Sequence, residues 1–200
     1  MFSIKNLAVA GFCLSLLAAA SPGHAQDLTG SVVPVADLGL VVACADLVPD
    51  LTAADAPSVT TSGIFSSQYD AWRAFDASSS TMWISQVFET PAWIAYDFGQ
   101  PRVVTRYSIK NTNGPVLVSR APKDFEFQGF DGSDWVTLDA RLGETDWVSG
   151  QPRTYDVANP GLYSNYRLYI TDDNDVREGV VVISIGDLRF ESCLVAFAGE

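Results

Sequence analysis

The chain has 200 residues, with 24 acidic against 12 basic side chains and a formal net charge of −12 at pH 7. Acidic residues spread along the chain repel the phosphates of nucleic acids and anionic lipids, so both kinds of partner are disfavoured. The length is sufficient for one domain with a core of its own.

The first 25 residues have the pattern of a secretory signal peptide. Lys5 provides a positive n-region, residues 7–20 are almost wholly apolar, and a small-x-Ala pattern ends at Ala25. The apolar run is shorter than a transmembrane helix requires, and no later segment is apolar enough to span a bilayer. We therefore expect cleavage after residue 25, export to the periplasm or the cell exterior, and no integral membrane segment in the mature protein.

Cleavage would also remove Lys5 and the only histidine, His24, which leaves 11 basic and 24 acidic residues, or a net charge of −13. Without histidine the mature chain cannot use a Ser-His-Asp or Cys-His mechanism, nor build a histidine-ligated zinc or iron site. A carboxylate pair of the glycosidase type is the remaining option, and nothing in the sequence positions one. The sequence predicts that the protein is not an enzyme.

Two cysteines remain after cleavage, Cys44 near the start of the mature chain and Cys193 near its end. In an oxidising compartment they most simply form one disulfide. Closing that loop would stabilise the fold by roughly 4–5 kcal/mol in the chain-entropy model. Two free thiols are the alternative; a catalytic thiol is disfavoured because no imidazole is present to lower its pKa.

From residue 57 onward the sequence predicts an all-β domain. Residues 26–56 lack periodicity and are interpreted as a lead-in segment, partly extended, that packs against the domain at Cys44. Short runs rich in Val, Ile, Tyr, Phe and Trp recur through residues 57–195, before a tail at 196–200. The predicted strands are Ser58–Ser62, Trp93–Phe98, Val103–Asn111, Asp124–Phe130, Trp135–Asp139, Arg153–Val157, Asn165–Thr171 and Val180–Glu191. One or two helical turns are predicted at Tyr69–Phe75.

Two predicted strands show the alternation of a half-buried sheet. Phe125 and Phe127 alternate with Glu126 and Gln128, and Tyr166, Leu168 and Ile170 alternate with Arg167 and Tyr169. Asp131-Gly132 marks a hairpin whose loop is longer than two residues. The pattern favours a two-sheet sandwich or jelly roll.

Eight segments in order resemble a known family: AWRAFD, TMW, PAWIAYDFG, RYSIKN, APKDFEFQGFDGSDWVTLD, RLGETDW, YRLYIT and VVVISIGDLRFES. They are similar to the coagulation-factor-5/8 type C, or discoidin, domain, whose bacterial members include many family 32 carbohydrate-binding modules. The resemblance runs from about Val59 to Ser192. It implies an eight-stranded, galactose-binding-domain-like jelly roll with adjacent chain ends, often tied by a disulfide. It also implies a non-catalytic binding module with its ligand among loops at one end.

The resemblance further implies a structural Ca²⁺ site. Its ligands would be the Arg73 carbonyl, Asp76, the Ser78 carbonyl, Thr81, the Gly186 carbonyl and Asp187. Calcium takes six to eight oxygen ligands, which this set provides in large part. Two departures weaken the match: Ala77 replaces the usual Gly, and Asp187 replaces the commoner Glu. The alternative is that Asp76 only caps the turn through a local Asx-type contact.

Sugars are bound by aromatic rings against their C–H faces and by polar side chains at their hydroxyls. The candidate ligand-binding residues are Tyr69, Trp72, Asn113 and Arg120, in loops 65–72 and 111–120, with loops 84–90 and 172–178 nearby. Trp83 and Trp93 are predicted to be core residues. Trp72 could also belong to the core, and Arg120 could instead form a surface salt bridge with Asp124.

Two local features restrict the ligand chemistry. The run Asp172-Asp173-Asn174-Asp175 lacks the Gly and Glu of an EF-hand, so a solvated acidic loop is predicted there. Ile84 follows the Trp of TMW, where several galactose-binding relatives carry His, which excludes recognition of galactose through an imidazole. The favoured function is an exported module that binds a glycan or glycoconjugate. The alternative is a protein-binding or adhesion discoidin domain.

Overall fold

A computed structural model of the protein describes residues 32–35, 40–47, 58–78, 80–87, 91–111, 115–176 and 181–197. The predicted signal peptide and the candidate ligand residue Asn113 lie outside these ranges. None of the helices within them is long and apolar enough to cross a bilayer.

The described part of the chain is built from strands joined by short 3-10 helices and loops. The strands are β1 (Val32–Val35), β2 (Leu40–Leu47), β3 (Val59–Thr61), β4 (Trp83–Ile84), β5 (Ala92–Lys110), β6 (Pro122–Phe130), β7 (Trp135–Arg141), β8 (Pro152–Asp156), β9 (Leu162–Asp173), β10 (Ser184–Ile185) and β11 (Asp187–Phe197). The 3-10 helices are Ser67–Tyr69, Ala71–Ala74 and Pro115–Arg120. The all-β prediction is confirmed, and the helical turn predicted at Tyr69–Phe75 is the helix Ala71–Ala74.

All the strand pairs are antiparallel, in the order β1-β2-β11-β5-β9-β6-β7, with β3 and β8 also paired to β5 and with β4 paired to β10. The start of β5 lies between β3 and β9, whereas its end lies between β8 and β11. A single strand therefore contributes to both layers of the jelly roll.

The change of layer takes place at a bulge in β5. The register with β9 shifts between Asp97 and Arg102. Gly99 there has a φ of +68°, which favours glycine, and its N–H donates to Asp97 Oδ1 at 2.7 Å. The prediction of two strands, Trp93–Phe98 and Val103–Asn111, was wrong because the backbone stays extended through this bend.

The core lies between the two layers and is rich in stacked aromatic rings. Tyr107 stacks on Phe127 with centroids 4.6 Å apart, and Phe127 stacks on Tyr166 at 5.5 Å. Trp83 is completely buried, as predicted, and its indole N–H donates to the Gly63 carbonyl at 3.2 Å. The predicted alternation along β9 is confirmed, since Tyr166, Leu168 and Ile170 are buried while Arg167 and Tyr169 are only half-buried.

The predicted lead-in segment contributes two strands to the sheet edge. β2 pairs with β11 along its whole length, and β1 pairs with β2. In this ladder Cys44 stands directly opposite Cys193. Opposed residues of antiparallel strands have Cα atoms about 4.5–5.5 Å apart, which lies in the range that a disulfide spans.

The final predicted strand, Val180–Glu191, is instead divided at Gly186. Ser184 and Ile185 pair with β4, whereas β11 from Asp187 onward pairs with β5. The Gly186 N–H donates to the Lys110 carbonyl at 2.9 Å. The strand is interrupted because the chain changes its partner there.

Candidate functional site

Several loops meet at one end of the sandwich because of how β9 is paired. β9 is antiparallel to both β5 and β6, so the loop that follows β9 lies beside the loops that precede those two strands. We call the described residues within 62–87, 115–121 and 174–183 the loop end. Loops carried by a paired scaffold of this kind are common ligand sites.

Hydrogen bonds join the loop that bears Phe65 to β4, and join the residue after β4 to the segment before β10. The Phe65 N–H donates to the Ile84 carbonyl at 2.9 Å, and the Ser85 N–H donates to the Ile183 carbonyl at 2.9 Å. The Ile183 N–H in turn donates to Ser85 Oγ at 2.9 Å. These contacts hold the segment that bears Phe65 against the body of the domain.

Asn174 joins the loop after β9 to two further segments. Its side-chain amide donates to the Ala121 carbonyl at 3.0 Å and to the Glu144 carbonyl at 3.1 Å. The Ala121 carbonyl also accepts from the Asn174 N–H at 3.2 Å. One polar side chain therefore connects three segments near the loop end.

The acidic run Asp172-Asp173-Asn174-Asp175, which begins in the last two residues of β9, is not the solvated loop that was predicted. Asp173 is only 2% exposed, and its two carboxylate oxygens accept from the N–H groups of Val182 at 2.8 Å and Asp175 at 2.9 Å. Burial raises the pKa of this carboxyl, and the two N–H donors partly oppose that shift. Asp172 forms an ion pair with Lys123 at 2.6 Å. The prediction was wrong because the donors come from residues farther along the chain.

Two aromatic rings stand together at the loop end. Phe65 is 56% exposed, Tyr69 is half-buried, and their ring centroids are 6.1 Å apart at an interplanar angle of 60°. Tyr69 ends one 3-10 helix, and Asp70 caps the next by accepting from the Ala71 N–H at 2.7 Å. Phe65 lies in the candidate loop 65–72 but was not among the selected ligand residues. Its position four residues before Tyr69, in a polar loop, was the sequence feature that could have indicated a second ligand-binding ring.

The other candidate ligand residues have different surroundings. Trp72 is half-buried, and the Arg73 guanidinium lies 4.7 Å from the centroid of its indole ring. Arg120 is half-buried at the end of the helix Pro115–Arg120. The alternative salt bridge between Arg120 and Asp124 is not formed between these two described residues. Asp124 instead accepts from the Gly143 N–H at 2.7 Å.

The Asp76 turn has the local contacts expected of an Asx-type cap. Asp76 Oδ1 accepts from the Ser78 N–H at 2.9 Å, and the Thr81 hydroxyl lies 2.9 and 2.7 Å from the two carboxylate oxygens. Ala77 has a φ of +54°, in the left-handed region that usually requires glycine. The turn therefore keeps the backbone conformation of a Gly-containing loop despite the alanine.

Asp187, the acidic residue predicted on the last strand, lies beyond the same end of the β4–β10 pair as Thr81. Trp83 pairs with Ile185, and Thr81 and Asp187 are each two residues beyond that pair. Asp187 is 5% exposed; its Oδ2 accepts from Arg189 at 2.6 Å, while its Oδ1 is buried without a hydrogen-bond partner. A buried carboxylate oxygen that lacks a donor is chemically suited to a cation. The residues present therefore fit a Ca²⁺ ion.

Two residues beside the loop end also bear on the predictions. Ile84 is buried in β4, so the position occupied by His in some relatives is here part of the packed interior. Trp93 is half-buried, and the prediction that it belongs to the core was wrong. It pairs with Tyr169 on β9, and the neighbours of Trp93 in sequence, Ala92 and Ile94, are the buried residues.

The described strands form a jelly roll whose loops meet at one end, the architecture of a β-sandwich binding domain. Residues 73–177, more than half of the chain, match the NedA-like, galactose-binding domain of the F5/8 type C family. The chain belongs to this family, as the sequence resemblance predicted. A comparison with curated proteins finds no match.

Solved structures confirm the fold. Chitosan-binding module 1 of a chitosanase/glucanase from Paenibacillus sp. IK-5 is 19% identical, with a TM-score of 0.56 over 72% of this chain and 97% of that chain. The family 32 module of NanJ from Clostridium perfringens, solved with galactose, is 14% identical (TM-score 0.53, 68% and 95% covered). The module CpGH89CBM32-5 from Clostridium perfringens, solved with GalNAc-β-1,3-galactose, is 16% identical (TM-score 0.55, 70% and 99% covered).

Proposed function

We propose that this protein is an exported, non-catalytic carbohydrate-binding module that takes a glycan at its loop end. The observation that carries the proposal is the ring pair Phe65 and Tyr69, solvent-accessible on loops that hydrogen bonds tie to the scaffold. Similar modules bind chitosan, galactose or GalNAc-β-1,3-galactose. The low identities support a glycan ligand without selecting one of these sugars.

In this proposal the rings of Phe65 and Tyr69 lie against the C–H face of a sugar, with Trp72 beside them. The guanidinium of Arg120 donates to sugar hydroxyls, and Asn113 is a further predicted contact that lies outside the described residues. Recognition of this kind binds a glycan without changing it chemically. The effect of the protein would follow from association with a glycan surface or with a partner enzyme.

The test is a glycan array with the purified protein, followed by calorimetry on any sugar that binds. Replacing Tyr69 or Phe65 by Ala should weaken binding about tenfold or more, because a buried stacking ring is a typical hot spot. Leu142→Ala is the matched control, since Leu142 is 82% exposed and lies outside the loop end. Saturable capture of one defined protein with no glycan signal would instead support the adhesion alternative.

We also propose that Ca²⁺ is held by Asp76, Thr81, Asp187 and the carbonyls of Arg73, Ser78 and Gly186. The unpartnered Asp187 oxygen and the left-handed conformation at Ala77 support this ligand set. The ion would neutralise two carboxylates and fix the turn, a structural role. Calcium at about 100-fold over its Kd should add roughly 2.7 kcal/mol, or about 5–10 °C in Tm. Identical melting curves in calcium and in EDTA would exclude the site. So would an Asp187→Asn variant whose Tm rises with calcium as much as that of the unaltered protein.

A disulfide between Cys44 and Cys193 and export from the cytoplasm belong to the same proposal. The opposed register of the two cysteines and the membership of a family with many extracellular proteins support it. Mass spectrometry of the secreted protein under non-reducing conditions should find one Cys44–Cys193 cross-linked peptide and an N-terminus at Gln26. A cytoplasmic product with two alkylatable thiols would contradict both parts.

A further inference from the structure

A second group of aromatic side chains lies away from the loop end, on the outer face of the layer that contains β9. It surrounds the guanidinium of Arg167, whose Cζ lies 4.2 Å from the ring centroid of Trp135, 4.7 Å from that of Tyr169 and 6.0 Å from that of Trp93. All four side chains are half-buried. We call Trp93, Trp135, Arg167 and Tyr169 the aromatic stripe.

The strand register arranges the stripe along the sheet. Tyr169 is opposite Trp93 on β5 and Glu126 on β6, and Arg167 is opposite Gln128. Farther from the loop end, Trp135 of β7 pairs with Phe130 of β6. The four residue-to-residue steps from Glu126 to Phe130 span about 13 Å at ~3.3 Å per step, so the stripe is long enough to contact more than one sugar ring.

A chain of hydrogen bonds fixes the polar groups of this surface. Arg167 Nε donates to Gln128 Oε1 at 2.6 Å, and Gln128 Nε2 donates to Glu126 Oε2 at 2.6 Å. The Thr137 hydroxyl donates to the same Glu126 oxygen. Within the part of the chain that the structure describes, the two terminal nitrogens of Arg167 and the second oxygen of Glu126 have no protein hydrogen-bond partner.

Unused donors and an unused acceptor held in fixed positions beside rings are the groups that a sugar hydroxyl requires, because a hydroxyl both donates and accepts. Partial burial lowers the pKa of Arg167, which stays charged. Hydrogen bonds from a partly desolvated guanidinium are stronger than those from a fully hydrated one. The surface is therefore organised before any ligand arrives.

Charge indicates which sugars this surface would accept. The cation of Arg167 and the anion of Glu126 compensate each other locally, and the whole chain carries a net charge of −12. A polyanion such as a polyuronate would be repelled by the protein as a whole. A neutral, hydroxyl-rich polysaccharide is not repelled by this charge.

We propose that the aromatic stripe is a second carbohydrate-contact surface, separate from the loop end, which takes a neutral polysaccharide chain. Trp93, Trp135 and Tyr169 stack on the sugar rings, Arg167 donates to hydroxyl oxygens, and Glu126 accepts from hydroxyl groups. This inference rests on the proposed function, and it adds a second site and the charge class of its ligand.

The test is affinity electrophoresis of the purified protein through native gels that contain galactomannan, xyloglucan or hydroxyethylcellulose, with polygalacturonate as the acidic comparison. Trp135→Ala and Arg167→Lys should each weaken retardation by a neutral polysaccharide about tenfold, because the first removes a ring and the second removes the planar fork of donors. Leu142→Ala should leave it unchanged. Tyr69→Ala combined with Trp135→Ala should lose more than either change alone, since the two sites have separate residues.

A fluorescence measurement keeps the test valid if Trp135→Ala does not fold. In a Trp72→Phe variant, whose loop end carries no partly exposed indole, a bound chain that covers Trp93 and Trp135 should protect indole emission from quenching by acrylamide, both alone and combined with Tyr69→Ala. Folded stripe variants that bind as tightly as the unaltered protein, while Tyr69→Ala abolishes binding, would overturn the inference and leave the proposed function intact. Absence of retardation and of any glycan-array signal would overturn both, and retardation by polygalacturonate alone would overturn the neutral ligand.

Discussion

The loop end and the aromatic stripe both present rings and polar groups, but the protein supports them in different ways. Phe65 and Tyr69 stand on a loop segment that a few hydrogen bonds hold in place, such as those from the Phe65 N–H to the Ile84 carbonyl and from the Ser85 N–H to the Ile183 carbonyl. Trp93 and Tyr169 stand on paired strands, and Arg167 is held by three rings and Gln128. A surface carried by strands is more rigid, whereas loops allow the sequence to vary without loss of the fold.

This difference predicts that the two surfaces can be disabled independently. Changes to the polar contacts of the loops should alter the loop end and leave the stripe intact, and changes to the outer face of the sheet should do the opposite. The following variants test that separation.

The largest effect is expected from Asp173→Ala. The change leaves the N–H groups of Val182 and Asp175 without their acceptors in a buried place, which should reduce the free energy of unfolding by about 2–4 kcal/mol. Asp172→Ala, which removes a partly exposed ion pair with Lys123 and an acceptor for the Asp173 N–H, should lose less, about 1 kcal/mol. Urea denaturation measures both, and equal losses would show that burial of Asp173 does not organise the loop.

Asn174→Ala should have the next largest effect. It removes the amide that donates to the Ala121 and Glu144 carbonyls, so we expect a loss of about 1–2 kcal/mol together with weaker glycan binding at the loop end. Asn159→Ala is the matched control, because that side chain is exposed. Quenching of indole fluorescence at the stripe should stay unchanged, and a change there would contradict the independence of the two surfaces.

Gln128→Ala tests whether the aromatic stripe depends on Gln128, which positions Arg167 and Glu126. Loss of the bonds to Arg167 and Glu126 should destabilise the protein by about 1 kcal/mol and increase acrylamide quenching of indole emission, because the guanidinium is no longer held in place. Gln151→Ala, at an exposed position, should change neither quantity. Binding at the loop end should be retained in both variants.

The smallest effect is expected from Asp131→Asn in the hairpin that carries Phe130 and Trp135. Asp131 Oδ1 accepts from the N–H groups of Ser133 and Asp134, and these bonds lower the pKa of the carboxyl below 3.8. The stabilisation is therefore complete above pH 3.8 and is lost as the pH falls through the lowered pKa. The Tm values of the two proteins should differ slightly at neutral pH and converge in acid. A Tm difference that widens in acid would show that the charged Asp131 carboxylate does not stabilise the hairpin.

Much of the fold could be predicted because its signals are local. The alternation along β9 identified the buried face, and Asp131-Gly132 correctly marked a hairpin with a loop longer than two residues, since β6 ends at Phe130 and β7 begins at Trp135. The bend in β5 and the division at Gly186 were missed. In both places the backbone conformation depends on which strand is the neighbour, and a sequence window does not contain that information.

The candidate sites were less predictable for the same reason. Tyr69 and Trp72 were selected from residue type and loop position, and Asp76 from the family resemblance, and all three stay predictions. Phe65 lay in the candidate loop 65–72 but was not selected as a ligand residue, because its exposure does not follow from its residue type. The stripe assembles Trp93, Trp135 and Arg167 from three strands far apart in sequence, so no local pattern could identify it.

By itself the sequence determined the all-β class and most strand positions, because side-chain alternation and turn chemistry act over a few residues. The family followed from the resemblance of eight segments in order, and the family match confirms it. The tertiary structure decided which tryptophan is buried and which acidic residue is buried, since Trp83 and Trp93, or Asp76 and Asp173, look alike in their local sequence. Burial is a property of the neighbours that folding brings together, and those neighbours include Pro122 for Asp173 and Tyr169 for Trp93, each far away in the sequence.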